Sequence, residues 1–207
     1  MTDEDRESAA GDDPPTPDAG GDDAIDGTSA TGNAGHRAAD HVGRALARAT
    51  GVGLACYLAV YATVGGLFAL DFTTSVAGRA GGGAVEAVRR LGWVVYNAHL
   101  VPTRVWLSVN VIELSAESLA LPPAVYYAVP PLVLFAGGWT AALRAPPGAW
   151  RVVAGAGIVL GYLPAAVLGA VATTTPAGGP VFVTATLLAG VAYPVAFGTV
   201  GALVADR

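Results

Sequence analysis

The sequence contains no lysine and only one cysteine, and both shortages narrow what the chain can be. All eleven basic residues are arginine, and the largest basic cluster is the pair Arg89-Arg90. Nucleic-acid binding needs a basic patch or stripe, so this class of partner is excluded. Cys56 has no second cysteine to pair with, so the chain has no internal disulfide framework.

Charge is also scarce and unevenly placed. Charged residues make up 13% of the chain against 53% hydrophobic residues, and the mean hydropathy is +0.53. Eleven of the sixteen acidic residues lie in residues 1–40, where they outnumber two arginines. Residues 1–35 hold one large aliphatic side chain, Ile25, which is too little apolar surface to offset the entropy of ordering. We therefore predict a disordered acidic tail over residues 1–35, and the acidic, lysine-free composition is typical of a salt-adapted, halophilic prokaryotic proteome.

Long uncharged runs dominate the rest of the chain. Four of them lack Asp, Glu, Arg, Lys and His and are long enough to cross a bilayer core: residues 51–70, 121–143, 152–174 and 180–204. The predicted fold is an all-α integral membrane protein with a bundle of four transmembrane helices, which forms a membrane domain over residues 51–204. A juxtamembrane segment over residues 36–50 is expected to place its arginines at the lipid headgroups.

The arginines also indicate an orientation. The eight-residue loop Arg144–Arg151 contains two arginines, whereas residues 71–120 need fifty positions to hold four. By the positive-inside rule both termini are predicted to lie in the cytoplasm, with residues 71–120, the interspan segment, outside the cell. The expected location is the cell membrane, with multiple passes.

The interspan segment is predicted to form a small extracytoplasmic cap. Residues 84–98 place apolar side chains at helical spacing, which indicates an amphipathic helix. After Pro102 apolar and other side chains alternate up to Ile112, which favours short strands. An alternative stays open, in which residues 91–112 form a fifth span. That alternative would put His99 and Arg104 in the hydrocarbon and the C-terminus outside.

Residues that could carry chemistry are few. No catalytic, cofactor-binding or metal-binding set with meaningful spacing is present, so we expect no enzyme and no cofactor. The residues of the cap in which specificity is expected to lie are Trp93, Tyr96, Asn97, His99 and Glu113. Prolines inside the spans are expected to kink their helices at Pro130, Pro131, Pro164 and Pro194, each with a tyrosine shortly before it.

Two short motifs carry a resemblance to a known family. Residues 92–99 read GWVVYNAH, and residues 127–131 read YAVPP at the head of a predicted span. Over about residues 45–204 the chain resembles an uncharacterised family of small multi-pass membrane proteins from salt-loving archaea. The resemblance implies membrane location and architecture and carries no catalytic residue across.

Two functions are consistent with these observations. The first is a non-enzymatic membrane protein that acts as an accessory or assembly partner. The second is a small permease or channel that acts as an oligomer and uses its proline-broken helices to line a path for ions or small solutes. The expected partners are the lipid bilayer and either a second copy of the chain or another membrane protein.

Overall fold

A computed structural model describes the backbone of residues 27–74 and 84–207. The chain divides into two units, Met1–Ala39 and Asp40–Arg207, and the packing reported below belongs to the second. Residues 1–26 of the predicted tail and residues 75–83 of the interspan segment lie outside the described residues.

The described chain is mostly helical. In chain order its elements are α1 (Gly27–Thr74), α2 (Ala84–Ala98), β1 (Thr103–Arg104), β2 (Ser108–Val109), α3 (Val111–Leu114), a 3₁₀ turn (Ala116–Ser118), α4 (Pro123–Leu143), α5 (Ala149–Ala156), α6 (Val159–Thr173), β3 (Gly179–Pro180), α7 (Phe182–Thr184), a π-helical segment (Ala185–Ala192) and α8 (Tyr193–Ala205). Four stretches are long and apolar enough to cross a membrane: Val42–Asp71, Pro123–Leu143, Ala149–Thr173 and Phe182–Ala205. The predicted number of spans is therefore matched within the described residues, and no fifth helix of this kind is found there.

The first of these stretches begins earlier than predicted. Helix α1 is continuous from Gly27, through the segment predicted as juxtamembrane and through residues 27–35 of the predicted disordered tail. The sequence from Gly27 to Thr74 has no proline and is rich in alanine, so nothing interrupts the helix. The stretch Val42–Asp71 consequently includes Arg44, Arg48 and Asp71, which lie outside the uncharged run that defined the predicted span.

Glycines let the helices approach backbone to backbone. A Cβ atom on Gly138 in α4 would collide with the carbonyl oxygen of Gly198 in α8, and one on Gly161 in α6 would collide with the carbonyl oxygen of Thr50 in α1. Only a residue without a Cβ permits such contacts, which are typical of helices that associate in membranes. These glycines serve packing within one chain.

Two of the four prolines, Pro164 and Pro194, lie in irregular stretches. The third stretch is interrupted between Ala156 and Val159, upstream of Pro164, and the fourth passes through the π-helical segment immediately before Pro194. Proline lacks the N–H that would bond to the carbonyl four residues earlier, and a wider π turn relieves the clash of its ring. Helix α4 instead runs unbroken through Pro130 and Pro131.

The amphipathic helix predicted in the interspan segment is α2, and it ends in a specific cap. The N–H of Leu100 donates to the carbonyl of Asn97, and the N–H of Val101 donates to the carbonyl of Tyr96. This pair of bonds is the Schellman arrangement, with Leu100 in the left-handed conformation at φ 61°. Because the chain reverses there, residues 91–112 do not form a continuous fifth span.

A short hairpin follows. Strands β1 and β2 pair antiparallel, and β1 also pairs with β3 on its other side, with Thr103 opposite Pro180. The predicted alternation up to Ile112 stops at Val109, because the side chain of Asn110 accepts hydrogen bonds from the N–H groups of Ile112 and Glu113 and starts helix α3.

Candidate functional site

His99 is the buried centre of the interspan segment. Its side chain is 1% exposed, and its ring centroid lies 5.2 Å from that of Tyr193. Nε2 of His99 lies 2.7 Å from the hydroxyl oxygen of Tyr162. Tyr162 and Tyr193 lie near the middle of the third and fourth candidate spans. The interspan segment therefore places an imidazole in the interior of the helix bundle, although the predicted uncharged runs that form the bundle contain no Asp, Glu, Arg, Lys or His.

The hydrogen bonds of His99 fix its tautomer. Nδ1 lies 2.8 Å from the carbonyl oxygen of Val95, which can only accept, so Nδ1 carries the proton. The lone pair on Nε2 then accepts from the hydroxyl of Tyr162. Burial lowers the pKa of His99 below its ordinary value, because the interior cannot solvate an imidazolium. The site holds a neutral imidazole with both nitrogens satisfied.

Two tyrosines continue the polar contacts beside His99. The hydroxyl of Tyr96 donates to the carbonyl of Ala166 in α6. The hydroxyl of Tyr57 lies 3.4 Å from that of Tyr96 and donates to it, since the hydrogen of Tyr96 is already engaged. Burial raises the pKa of Tyr96, so this hydroxyl stays neutral. These bonds connect α2 to both α1 and α6.

Asn97 organises the chain after α2. Its amide nitrogen donates to the carbonyl of Val101 at 2.6 Å and to Oγ1 of Thr103 at 3.2 Å. Its amide oxygen accepts from the N–H of Val111, also at 2.6 Å. The side chain is fully buried, so each of these bonds replaces one to water. One residue thus connects the end of α2 to the hairpin and to the start of α3.

Of the five residues predicted for the cap, four belong to this arrangement and one does not. Trp93 joins it from α2, where Nε1 donates to the carbonyl of Thr173 at 2.8 Å. Glu113 is exposed and accepts a hydrogen bond from the hydroxyl of Tyr127, which also accepts from Asn110. A catalytic pair of His99 and Glu113 would need the two side chains in contact, and no hydrogen bond joins them in the described structure.

The partners of these residues were not identified from the sequence. Tyr162 and Tyr193 contact His99, Tyr127 contacts Glu113, and Tyr126 donates to the carboxylate of Asp71 at the end of the first candidate span. Each lies just before a proline inside a span, and that recurring placement was the available signal. The tyrosines bind the interspan segment and the end of α1.

The contacts of these residues are hydrogen bonds and packing contacts within the protein. In the part of the chain that the structure describes, no group of three or more His, Cys, Asp or Glu residues could hold a metal ion. Cys56 is buried in the core with Tyr57 and Leu134. The site holds α2 and the hairpin against the bundle through hydrogen bonds between uncharged groups.

Comparison with known proteins gives a family and no activity. No curated protein and no solved structure matches the chain. A family model described as a family of unknown function, DUF7978, matches residues 28–207, which is most of the sequence. The resemblance to an uncharacterised family is consistent with this match, and the chain belongs to the family of unknown function DUF7978.

Proposed function

We propose that the protein is a non-enzymatic integral membrane protein of the cell membrane that acts as an accessory or assembly partner. The observation that carries this proposal concerns the buried polar groups of His99 and Tyr96. The imidazole of His99 and the hydroxyl of Tyr96 make their hydrogen bonds to groups of the protein itself. A catalytic or transport site normally keeps a polar group available for its substrate, so association through the surface is the better-supported role.

Both termini are proposed to be cytoplasmic, with the interspan segment outside the cell. An even number of spans favours termini on the same side, and the two arginines of the loop Arg144–Arg151 support the cytoplasm as that side. Reporter domains fused to either terminus test this orientation. Both fusions should be active only with a reporter that works in the cytoplasm.

The acidic N-terminal segment is the proposed contact for a partner. An acidic segment beneath an anionic leaflet is repelled by the surface, so it favours a basic protein partner over lipid. Affinity purification from native membranes should therefore recover proteins with the full chain that are lost when residues 2–34 are deleted. If the same proteins are recovered without this segment, its role as the contact is refuted.

A second candidate is an oligomeric permease or channel for ions or small solutes. The observation in its favour is that the third and fourth candidate spans are both irregular near their middle, at residues 157–158 and in the π-helical segment Ala185–Ala192. Interrupted helices expose backbone carbonyls that bind substrates in some transporters. Flux through reconstituted protein separates the two candidates.

A further inference from the structure

The tip of the hairpin between β1 and β2 is apolar and exposed. Val105, Trp106 and Leu107 follow one another there, and their exposed fractions are 43%, 89% and 71%. Single exposed apolar residues are ordinary, but a run of three that presents a nearly bare tryptophan indicates a surface with a partner.

Strand pairing fixes the position of this tip relative to the fourth candidate span. Arg104 pairs with Gly179, and the N–H of Val181 donates to the carbonyl of Pro102. The fourth stretch begins at the next residue, Phe182, whose side chain is half exposed. The stem of the hairpin therefore lies at the end of a membrane-spanning stretch, at the level where hydrocarbon gives way to headgroups.

The approach of the hairpin to its neighbour depends on one glycine. Gly178 has φ 154°, and a Cβ atom there would lie 2.5 Å from the carbonyl oxygen of Arg104 and 3.2 Å from Cα of Val105. The backbone of the hairpin at Arg104 and Val105 thus lies directly against the loop between the third and fourth stretches, which fixes the base of the tip beside that loop.

The chemistry of the tip matches a phospholipid interface. Tryptophan favours the boundary between acyl chains and headgroups, where its ring is buried and its N–H reaches polar groups. Arg104, exposed at the base of the tip, is suited to a phosphate, and residues 101–109 contain no acidic residue that would repel it. A protein partner would not require the tip to lie near the end of a span, whereas a lipid partner does.

We propose that Val105, Trp106 and Leu107 insert into the headgroup–acyl boundary of the same membrane, with Arg104 on a lipid phosphate. The insertion anchors the interspan segment to the leaflet from outside the bundle, while His99 and Asn97 anchor it from within. This inference rests on the proposed membrane location.

Depth-dependent fluorescence quenching tests the insertion. A variant with Trp93→Phe, Trp139→Phe and Trp150→Phe keeps Trp106 as its only tryptophan and is reconstituted in phosphatidylcholine vesicles. Some vesicles carry bromine near the headgroup end of the acyl chains, and others carry it near the chain ends. Trp106 should lose more intensity with the shallow bromines than with the deep ones, and iodide in the water should quench it little.

A matched variant that keeps only Trp139, which lies inside α4, separates the two possible failures. If Trp139 is quenched by brominated lipid and Trp106 is quenched only by iodide, the tip lies in water or awaits a protein, and the insertion is refuted. If neither is quenched by lipid, the membrane location itself is wrong. Should Trp93→Phe prevent folding, a nitroxide on Leu107→Cys in a Cys56→Ala background replaces fluorescence, and greater accessibility to oxygen than to an aqueous nickel complex is the expected result.

Discussion

The hydroxyl of Tyr162, in the middle of the third candidate span, donates to Nε2 of His99, which belongs to a segment between spans. The second nitrogen of the same imidazole is held by the carbonyl of Val95, one turn earlier in α2. A buried polar pair of this kind is costly to break on one side only, because the remaining group keeps its desolvation penalty.

Single and double substitutions measure this pair. We expect Tyr162→Phe to lower the free energy of unfolding by about 1–3 kcal/mol, because it leaves Nε2 of His99 unpaired. His99→Leu should cost at least as much, because both the hydroxyl of Tyr162 and the carbonyl of Val95 lose their partner. The double variant should lose less than the sum of the two, with a coupling of about 1–2 kcal/mol. Unfolding of the purified protein in detergent provides the measurement, and strictly additive losses would show that the two groups do not interact.

Acidification should destabilise the protein through His99. Its pKa is lowered in the folded state, so the native protein binds fewer protons than the unfolded chain does. The stabilising contribution is complete above the unfolded pKa of about 6.5 and declines as the pH falls from there towards the lowered folded value. Melting temperatures recorded across this range should fall more steeply for the wild type than for His99→Leu. Equal slopes would mean that His99 is not the group that titrates.

The helix cap at Leu100 predicts a stabilising substitution. Leu100 adopts φ 61°, a conformation that costs a residue with a Cβ roughly 1 kcal/mol and costs glycine nothing. Leu100→Gly should therefore raise the free energy of unfolding by about 0.5–1 kcal/mol. Gly148, at φ 83° and ψ −147° with open space around its Cβ position, is the reciprocal control, and Gly148→Ala should lose about 1–3 kcal/mol because this region is essentially restricted to glycine. A loss of stability in Leu100→Gly would show that the leucine side chain makes a contact that outweighs the strain.

The glycine contacts predict a contrast between two alanine substitutions. Gly138→Ala introduces a Cβ against the backbone of Gly198, and the two helices must separate to accept it. We expect a loss of about 1–3 kcal/mol in detergent, as for overpacking in a close-packed core. Gly66→Ala has nothing within 4 Å and lies inside α1, so it should be neutral or should gain up to about 1 kcal/mol from helix propensity. Similar losses at both positions would rule out close packing as the cause.

Much of the architecture could be predicted from hydropathy alone. Twenty or more uncharged residues in a row can do little except cross a bilayer, so the four stretches were identifiable, with errors of a few residues at most of their ends. The error was larger at the start of the first stretch, which was predicted at Gly51 and begins at Val42. The predicted span began at Gly51, just after Arg48, although the helix itself continues back through Arg48 and Arg44.

The centre of the site could be predicted only in part. The motif around His99 drew attention to Tyr96 and Asn97, but a sequence does not say how far a segment between spans reaches into the bundle. The depth of His99 depends on where α2 ends, and that depends on the left-handed conformation of Leu100. Leucine seldom adopts this conformation, so its occurrence could not be expected from residue type.

Solute flux through the reconstituted protein tests the central claim most directly. Purified wild-type protein in liposomes should release ions and small entrapped solutes no faster than protein-free liposomes do, because the centre of its bundle is closed by side chains bonded to one another. Release above that background which disappears in Pro164→Ala or Pro194→Ala would contradict the accessory role and establish transport through the interrupted helices.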